Sequence, residues 1–143
     1  MSHRTSTILG LAAVVLALFA IPLIWQEHEQ PRAIKMVPDV LSIADTIPLP
    51  GDAVLITDNG PSANEYSAVV WRYYTTNWSD EQIRSAVFEF ASQAGYRGWK
   101  EERPASGRAF SARNGEFEIR LHLHPPAEGS RFAISANWYG SDR

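Results

Sequence analysis

Asn114-Gly115 stands between two segments that alternate apolar and polar residues, RAFSAR (108–113) and EFEIRLHLH (116–124). Asn-Gly takes the two left-handed positions of a type I′ turn more readily than other dipeptides, and such a turn between alternating segments is the strongest short-range hairpin signal. A turn centred there predicts a register with Arg113 opposite Glu116, Ala112 opposite Phe117 and Phe110 opposite Ile119. Apolar side chains then meet across the pair, and a positive charge meets a negative one. The period of two sends Phe117, Ile119, Leu121 and Leu123 to one face and Glu116, Glu118, Arg120, His122 and His124 to the other.

The rest of the C-terminal region extends this reading. DAVLITD (52–58) and YSAVVWRYYT (66–75) read as strands, with DNGPSAN (58–64) as a turn-rich loop between them. The second strand is apolar on both faces, as an inner strand is. Ser79 is a candidate helix N-cap, with Asp80 and Glu81 in the first turn and Gln82 at the capping-box position. Ile83, Ala86, Val87, Phe90, Ala91 and Ala94 follow at helical spacing, with Phe90 central. Arg84, Ser85, Glu89 and Gln93 fall on the opposite side, and Gly95 is placed to end the helix. YRGWKEER (96–103) reads as a short strand and RFAISANWY (131–139) as the last one. The expected class is α+β, with order β-β-α-β-β-β: a mostly antiparallel sheet with one helix on one face.

Ahead of this domain, Ile8–Trp25 is an uncharged run of eighteen residues. At about 1.5 Å per residue it makes about 27 Å of helix, close to the thickness of a hydrocarbon core. Arg4 precedes the run and Glu27 and Glu29 follow it. The charge bias predicts residues 1–7 inside the cytoplasm, a single-pass anchor over 8–25 and everything beyond it outside the inner membrane. The competing reading is a cleaved signal peptide. A cut after Ala20 would set Leu18 and Pro22 around the bond, a poor match to small-residue cleavage sites, and a cut after Ala17 leaves a short apolar core. Residues 26–50 carry four prolines among mixed charges. They read as a tether with one short helical turn around Asp39–Ala44, which leaves 51–143 as the extracytoplasmic domain.

Composition narrows the chemistry. The chain has 143 residues, a net charge of −3 and no cysteine. There is no basic footprint for nucleic acid, and thiolate metal sites, disulfides and a cysteine nucleophile are excluded. No phosphate loop, nucleophile elbow or zinc-protease motif is present. TDNGPS (57–62) lacks the alternating acids and closing glutamate of a calcium loop and reads as a turn. Asn77-Trp78-Ser79 matches a glycosylation sequon, but Ser79 is already accounted for as a cap. Glu101-Glu102, as strand neighbours, diverge to opposite faces. His122 and His124 could share a zinc ion only with a third protein ligand, drawn from Glu116, Glu118, Asp52 or Asp58, and Arg120 on the same face would repel the cation. The alternative, a solvated strand face, needs no metal, and no cofactor is called for.

The aromatic residues offer a surface instead. Tyr66, Ala68, Val70, Arg72 and Tyr74 share one face of their strand, and Ala133, Ser135, Asn137 and Tyr139 one face of theirs. If both sets meet on a side that the helix leaves open, Tyr66, Arg72, Tyr74, Asn137 and Tyr139 form an amphipathic contact surface.

IPLPGDAVLITD, followed by a long strand, SDEQIRSAVFEFASQAGY and a Trp-bearing strand, resembles small bacterial extracytoplasmic domains of unknown function carried on lipoproteins or single-pass anchors. The resemblance spans about residues 46–139. It implies a bacterial envelope setting and supplies no catalytic residues. The functional expectation is a non-enzymatic, membrane-anchored interaction module, held in the bilayer through residues 8–25 and serving other membrane or envelope proteins as an accessory or assembly subunit. The alternatives are a glycan- or amphiphile-binding domain on the open sheet face, and a metal-dependent hydrolase at His122 and His124.

Overall fold

The strand-forming half of the chain builds one sheet. The computed structural model describes residues 31–140, which belong to one unit that begins at Pro31. The elements are α1 (Arg32–Lys35), α2 (Val37–Thr46), β1 (Val54–Ala63), β2 (Ser67–Thr75), α3 (Asp80–Gln93), β3 (Arg97–Glu102), β4 (Arg108–Asn114), β5 (Phe117–Leu123) and β6 (Phe132–Tyr139). The sheet is antiparallel throughout, with spatial order β1-β2-β6-β5-β4-β3. The class is α+β, as expected. There are six strands, one more than the order β-β-α-β-β-β allows, because both hairpin arms are full strands between β3 and β6. The anchor read at 8–25 and the first residues of the tether lie outside the described residues. Among the described residues no helix is long and apolar enough to cross a membrane.

α3 forms where the capping signals predict it. Ser79 Oγ accepts from the Gln82 N–H, and the Gln82 side chain accepts from the Ser79 N–H, so two otherwise unpaired donors are satisfied reciprocally. Gly95, at φ 86, ends the helix in the left-handed region. The buried stripe is Ile83, Val87 and Ala91. Phe90 is half-buried at its margin, so it is not the centre of the stripe. Phe88 packs instead face to face on Trp99, with ring centroids 3.8 Å apart, and edge-on to Phe110.

The segment expected to be a tether is structural from residue 31. α1 and α2 carry Ala33, Val40 and Ala44 into a cluster with Ala68, Val70, Ala136 and Trp138. The prolines do not break these helices because of where they fall. Pro31 precedes α1, Pro38 lies in the first turn of α2, and Pro48 and Pro50 follow Ile47 at its C-cap. Those are positions where a missing N–H and a fixed φ are tolerated. The signal was present in the spacing of Ala33, Val37, Val40, Ala44 and Ile47. Arg32 pins α1 to the sheet: it pairs with Glu116 at 3.0 Å and lies 5.3 Å over the Trp138 ring, whose Nε1 also donates to Glu116.

Both helical layers lie on the same face. Phe132, Ile134, Ala136 and Trp138 alternate along β6, so they point to one side. The first two pack in the α3 cluster and the last two in the α1–α2 cluster. The expectation of a single helix on the sheet is therefore replaced by two layers side by side.

The hairpin forms, but its register is two residues removed from the expected one. Asn114 pairs with Phe117, Arg113 with Glu118, Ala112 with Ile119 and Phe110 with Leu121. The two-residue loop is Gly115-Glu116, with Gly115 at φ 58, so glycine takes the first turn position, as in type II′ turns. Asn114 remains in the strand, where its side-chain amide donates to the Ala94 carbonyl at the C-cap of α3. A shift of two preserves the faces, so the core residues of β5 are those expected. β1 also runs farther than expected: Asp58–Ala63, read as loop, continues the strand through a bulge between Asn59 and Ser62, after an earlier one between Leu55 and Thr57. The turn comes at Asn64, whose Oδ1 accepts from the Tyr66 and Ser67 N–H groups.

Asp52 closes the entry into β1. Its carboxylate accepts from the Thr76 hydroxyl and the Asn77 N–H. The Thr76 bond, with the Asn77 bond second, holds its pKa below the ordinary 3.8. A carboxylate with a depressed folded pKa stabilises fully above its unfolded value, and the contribution is lost as pH falls through the folded value. The melting temperatures of the wild type and Asp52→Asn should differ at about pH 7, and the gap should close as pH falls below the ordinary carboxylate range and through the depressed folded value. A gap that persists in acid would contradict this assignment.

Candidate functional site

Strand pairing decides which side chains share a surface, because residues directly opposite in an antiparallel ladder point to the same face. In the β2–β6 pair, Ala68 faces Trp138, Val70 faces Ala136, Arg72 faces Ile134 and Tyr74 faces Phe132. The face of β2 that holds Arg72 and Tyr74 is therefore the helix-covered one. Tyr74 is buried and stacks on Phe132 at 5.2 Å, and burial raises the pKa of its phenol. Arg72 meets Asp45 of α2 at 2.6 Å. Tyr66 lies just ahead of β2, exposed, with its carbonyl accepting from the Gly140 N–H.

Asn137 and Tyr139 point the other way. Asn137 is buried, and its amide donates to Ser135 Oγ at 2.8 Å and to the Glu118 carbonyl at 3.4 Å. The Arg113 guanidinium lies 5.3 Å over the Tyr139 ring. The five residues expected to form one surface are thus divided between two faces of the sheet.

The open face is built from other residues. Val69 faces Asn137, Trp71 faces Ser135 and Tyr73 faces Ala133, while on the other flank of β6 Glu118, Arg120 and His122 face the same three residues. No described helix packs here, yet Ala133, Ser135 and Asn137 are buried. Their small side chains sit in a trough between bulkier neighbours on β2 and β5. Trp71 and Tyr73 stack at 6.2 Å on the β2 side and remain half-exposed.

Toward β3 the face turns ionic. Arg97, Lys100, Glu102, Ser111, Arg113, Glu118 and Arg120 border a concavity of about 350 Å³. Glu118 is only 5% exposed. It lies between Arg113 Nε and Arg120 Nε, each at 3.0 Å, and Arg120 also reaches Glu102 at 3.1 Å. The contact at Glu118 Oε1 is ionic and not a directed hydrogen bond, which leaves that buried oxygen with acceptor capacity.

The two histidines part at the end of β5. His122 stays on the open face and its Nε2–H donates to the Ser106 carbonyl at 2.7 Å. His124 has φ 54, a left-handed conformation that takes it out of the strand alternation. Its Nε2–H donates to Asp80 Oδ2 at 2.8 Å, at the start of α3, where Arg131 also contacts Asp80. The shared face expected for His122 and His124 is not formed. Among the described residues no three His, Asp or Glu side chains are grouped to hold a metal ion.

No family model, curated protein or solved structure matches the chain. The fold defines the class that can be stated, an α+β domain whose antiparallel sheet is helix-covered on one face and free of described helices on the other.

Proposed function

We propose that this protein is a non-enzymatic interaction module, anchored by residues 8–25 outside the inner membrane of a bacterium, that docks a partner membrane or envelope protein by strand addition at β1. The observation that carries the reading is the outer edge of β1. Val54, Leu55 and Ile56 are exposed by 58%, 49% and 43%, and β1 is the terminal strand of the sheet. An edge strand presents unpaired backbone N–H and C=O groups, and proteins usually guard it with charge, proline or bulges. Here Pro61 and the Asn59–Ser62 bulge guard the distal half, while the near half has one bulge, between Leu55 and Thr57, and no charge over Val54–Ile56. Three consecutive exposed apolar residues on an available edge suit a partner strand, with backbone bonds supplying affinity and side-chain contacts selectivity.

The test is affinity purification of the full chain from a mild detergent extract, read by mass spectrometry, for the wild type and Leu55→Lys. The wild type should retain a membrane or envelope protein and the variant should lose it. The stability of the variant should stay within about 0.5 kcal/mol, as usual for surface positions. Equal recovery of the same partner by both proteins would remove β1 from the interface.

The stacked Trp71–Tyr73 pair favours a second reading, in which the open face binds a glycan ring or small amphiphile against the aromatics. The hydrolase reading has no geometric support, because His122 and His124 are directed to different partners.

A further inference from the structure

The ionic half of the open face contains a local conflict. Arg97 and Arg113 are direct cross-strand partners on β3 and β4, an arrangement of like charges that is unfavourable in a sheet. Lys100 and Arg120 line the same concavity. Against these four cations stand two acids, Glu102 and Glu118, so the lining has an excess of two positive charges on a chain whose net charge is −3. The acids do not cancel the cations one for one. Glu118 is shared by Arg113 and Arg120. Arg97 NH1 donates to the Ser92 and Tyr96 carbonyls, which hold it in place without neutralising it. Lys100 has no ion-pair partner among the described residues.

The geometry points to a phosphate-binding site over β3, β4 and β5. A phosphomonoester carries about −1.5 to −2 charges near neutral pH, which complements the excess of two, and arginine matches its oxygens with paired donors. The volume falls within the usual range for small-ligand sites, roughly 300–1,000 Å³. Glu118 acts from below: buried in the sheet, it fixes the Arg113 and Arg120 guanidiniums before the ligand arrives, which lowers the ordering cost of binding. An anion between Arg97 and Arg113 turns their repulsion into a shared attraction. The phosphate could be free, carried on a soluble ester or presented by a lipid headgroup. The site is separate from the β1 edge, so it stands or falls independently of the proposed docking.

The test uses the full chain in neutral detergent, titrated calorimetrically with inorganic phosphate, with glycerol phosphate, and with micelles doped with phosphatidic acid against undoped micelles. Saturable binding to at least one phosphate probe is expected. Lys100→Gln and Arg113→Gln should each weaken it about tenfold, the equivalent of one charge-assisted hydrogen bond. Arg84→Gln removes the same charge from the helix side, where Arg84 pairs with Glu81, and should leave binding unchanged. Lys100→Gln reports even if Arg113→Gln disturbs Glu118, since it breaks no bond within the described residues. Response to the soluble probes assigns the site to a free phosphate group, and response to the doped micelles alone assigns it to a headgroup. Absence of binding to every probe, or an equal loss in Arg84→Gln, would overturn the assignment.

Discussion

A fragment that begins at Gly51 is expected to lack a cooperative thermal transition, whereas one that begins at Pro31 should melt as a single unit by circular dichroism. Removing α1 and α2 deletes Ala33, Val40 and Ala44 and uncovers Ala68, Val70, Ala136 and Trp138, all now buried. Each large apolar side chain contributes about 1.5–3 kcal/mol when fully buried. Val40, Val70 and Trp138 together are therefore worth on the order of 5–9 kcal/mol, comparable with the whole stability of a small domain, roughly 5–15 kcal/mol. The ion pairs lost with them, Arg32–Glu116 and Arg72–Asp45, each have one strongly exposed partner and add little. A Gly51 fragment with the same melting midpoint as the Pro31 fragment would show that residues 31–50 are a tether after all.

Phe132→Ala should cost about 3–5 kcal/mol, the usual range for truncating a buried phenylalanine. Phe132 is fully buried, lies opposite Tyr74 and Leu123 on the two flanks of β6, and stacks on Tyr74. Neighbours on β2 and β5 would have to move to fill the cavity, and a close-packed sheet core relaxes only in part. Phe90→Ala, at the half-exposed margin of α3, should cost only about 1–2 kcal/mol, within the common range for point substitutions. Chemical denaturation of both variants distinguishes the positions. Equal costs would mean that α3 is rotated from the orientation described.

Local signals were legible in the order of their strength. The Ser79–Gln82 capping box, the apolar repeat after it and Gly95 define α3 through bonds within a few residues of one another, and no distant contact competes with them. The hairpin was legible as a hairpin but not in its register, because Asn114 is held in β4 by a bond to the Ala94 carbonyl, twenty residues away in the chain. α1 was not legible, and of α2 only a turn around Asp39–Ala44 was, because four prolines suggest breaks unless they fall at helix ends, as these do. Their apolar repeat was visible from Ala33 to Ile47, but a short helix gains most of its stability from what it packs against, and that partner is the far end of the sheet.

The candidate site divides in the same way. Alternation along β2, β5 and β6 separated each strand into two sets by itself, and those sets are the ones observed except at the ends of β5, where Glu116 lies in the turn and His124 leaves the alternation. Which set of one strand lies beside which set of the next depends on pairing parity, and a shift of one residue would exchange the faces. β6 is inserted between β2 and β5, and no short turn joins it to β2 to set the register of that pair. That insertion puts Arg72 and Tyr74 beneath the helices, leaves Trp71, Tyr73 and Arg120 flanking a trough of small residues, and brings Arg113 and Glu118 beside Asn137. Sequence alone determined the helix, the hairpin and the two faces of each strand, because those follow from bonds and periodicities a few residues long. Only the tertiary structure decided which faces meet and which are covered, because that follows from contacts between residues more than fifty positions apart, such as Tyr74 and Arg131 or Ala68 and Trp138.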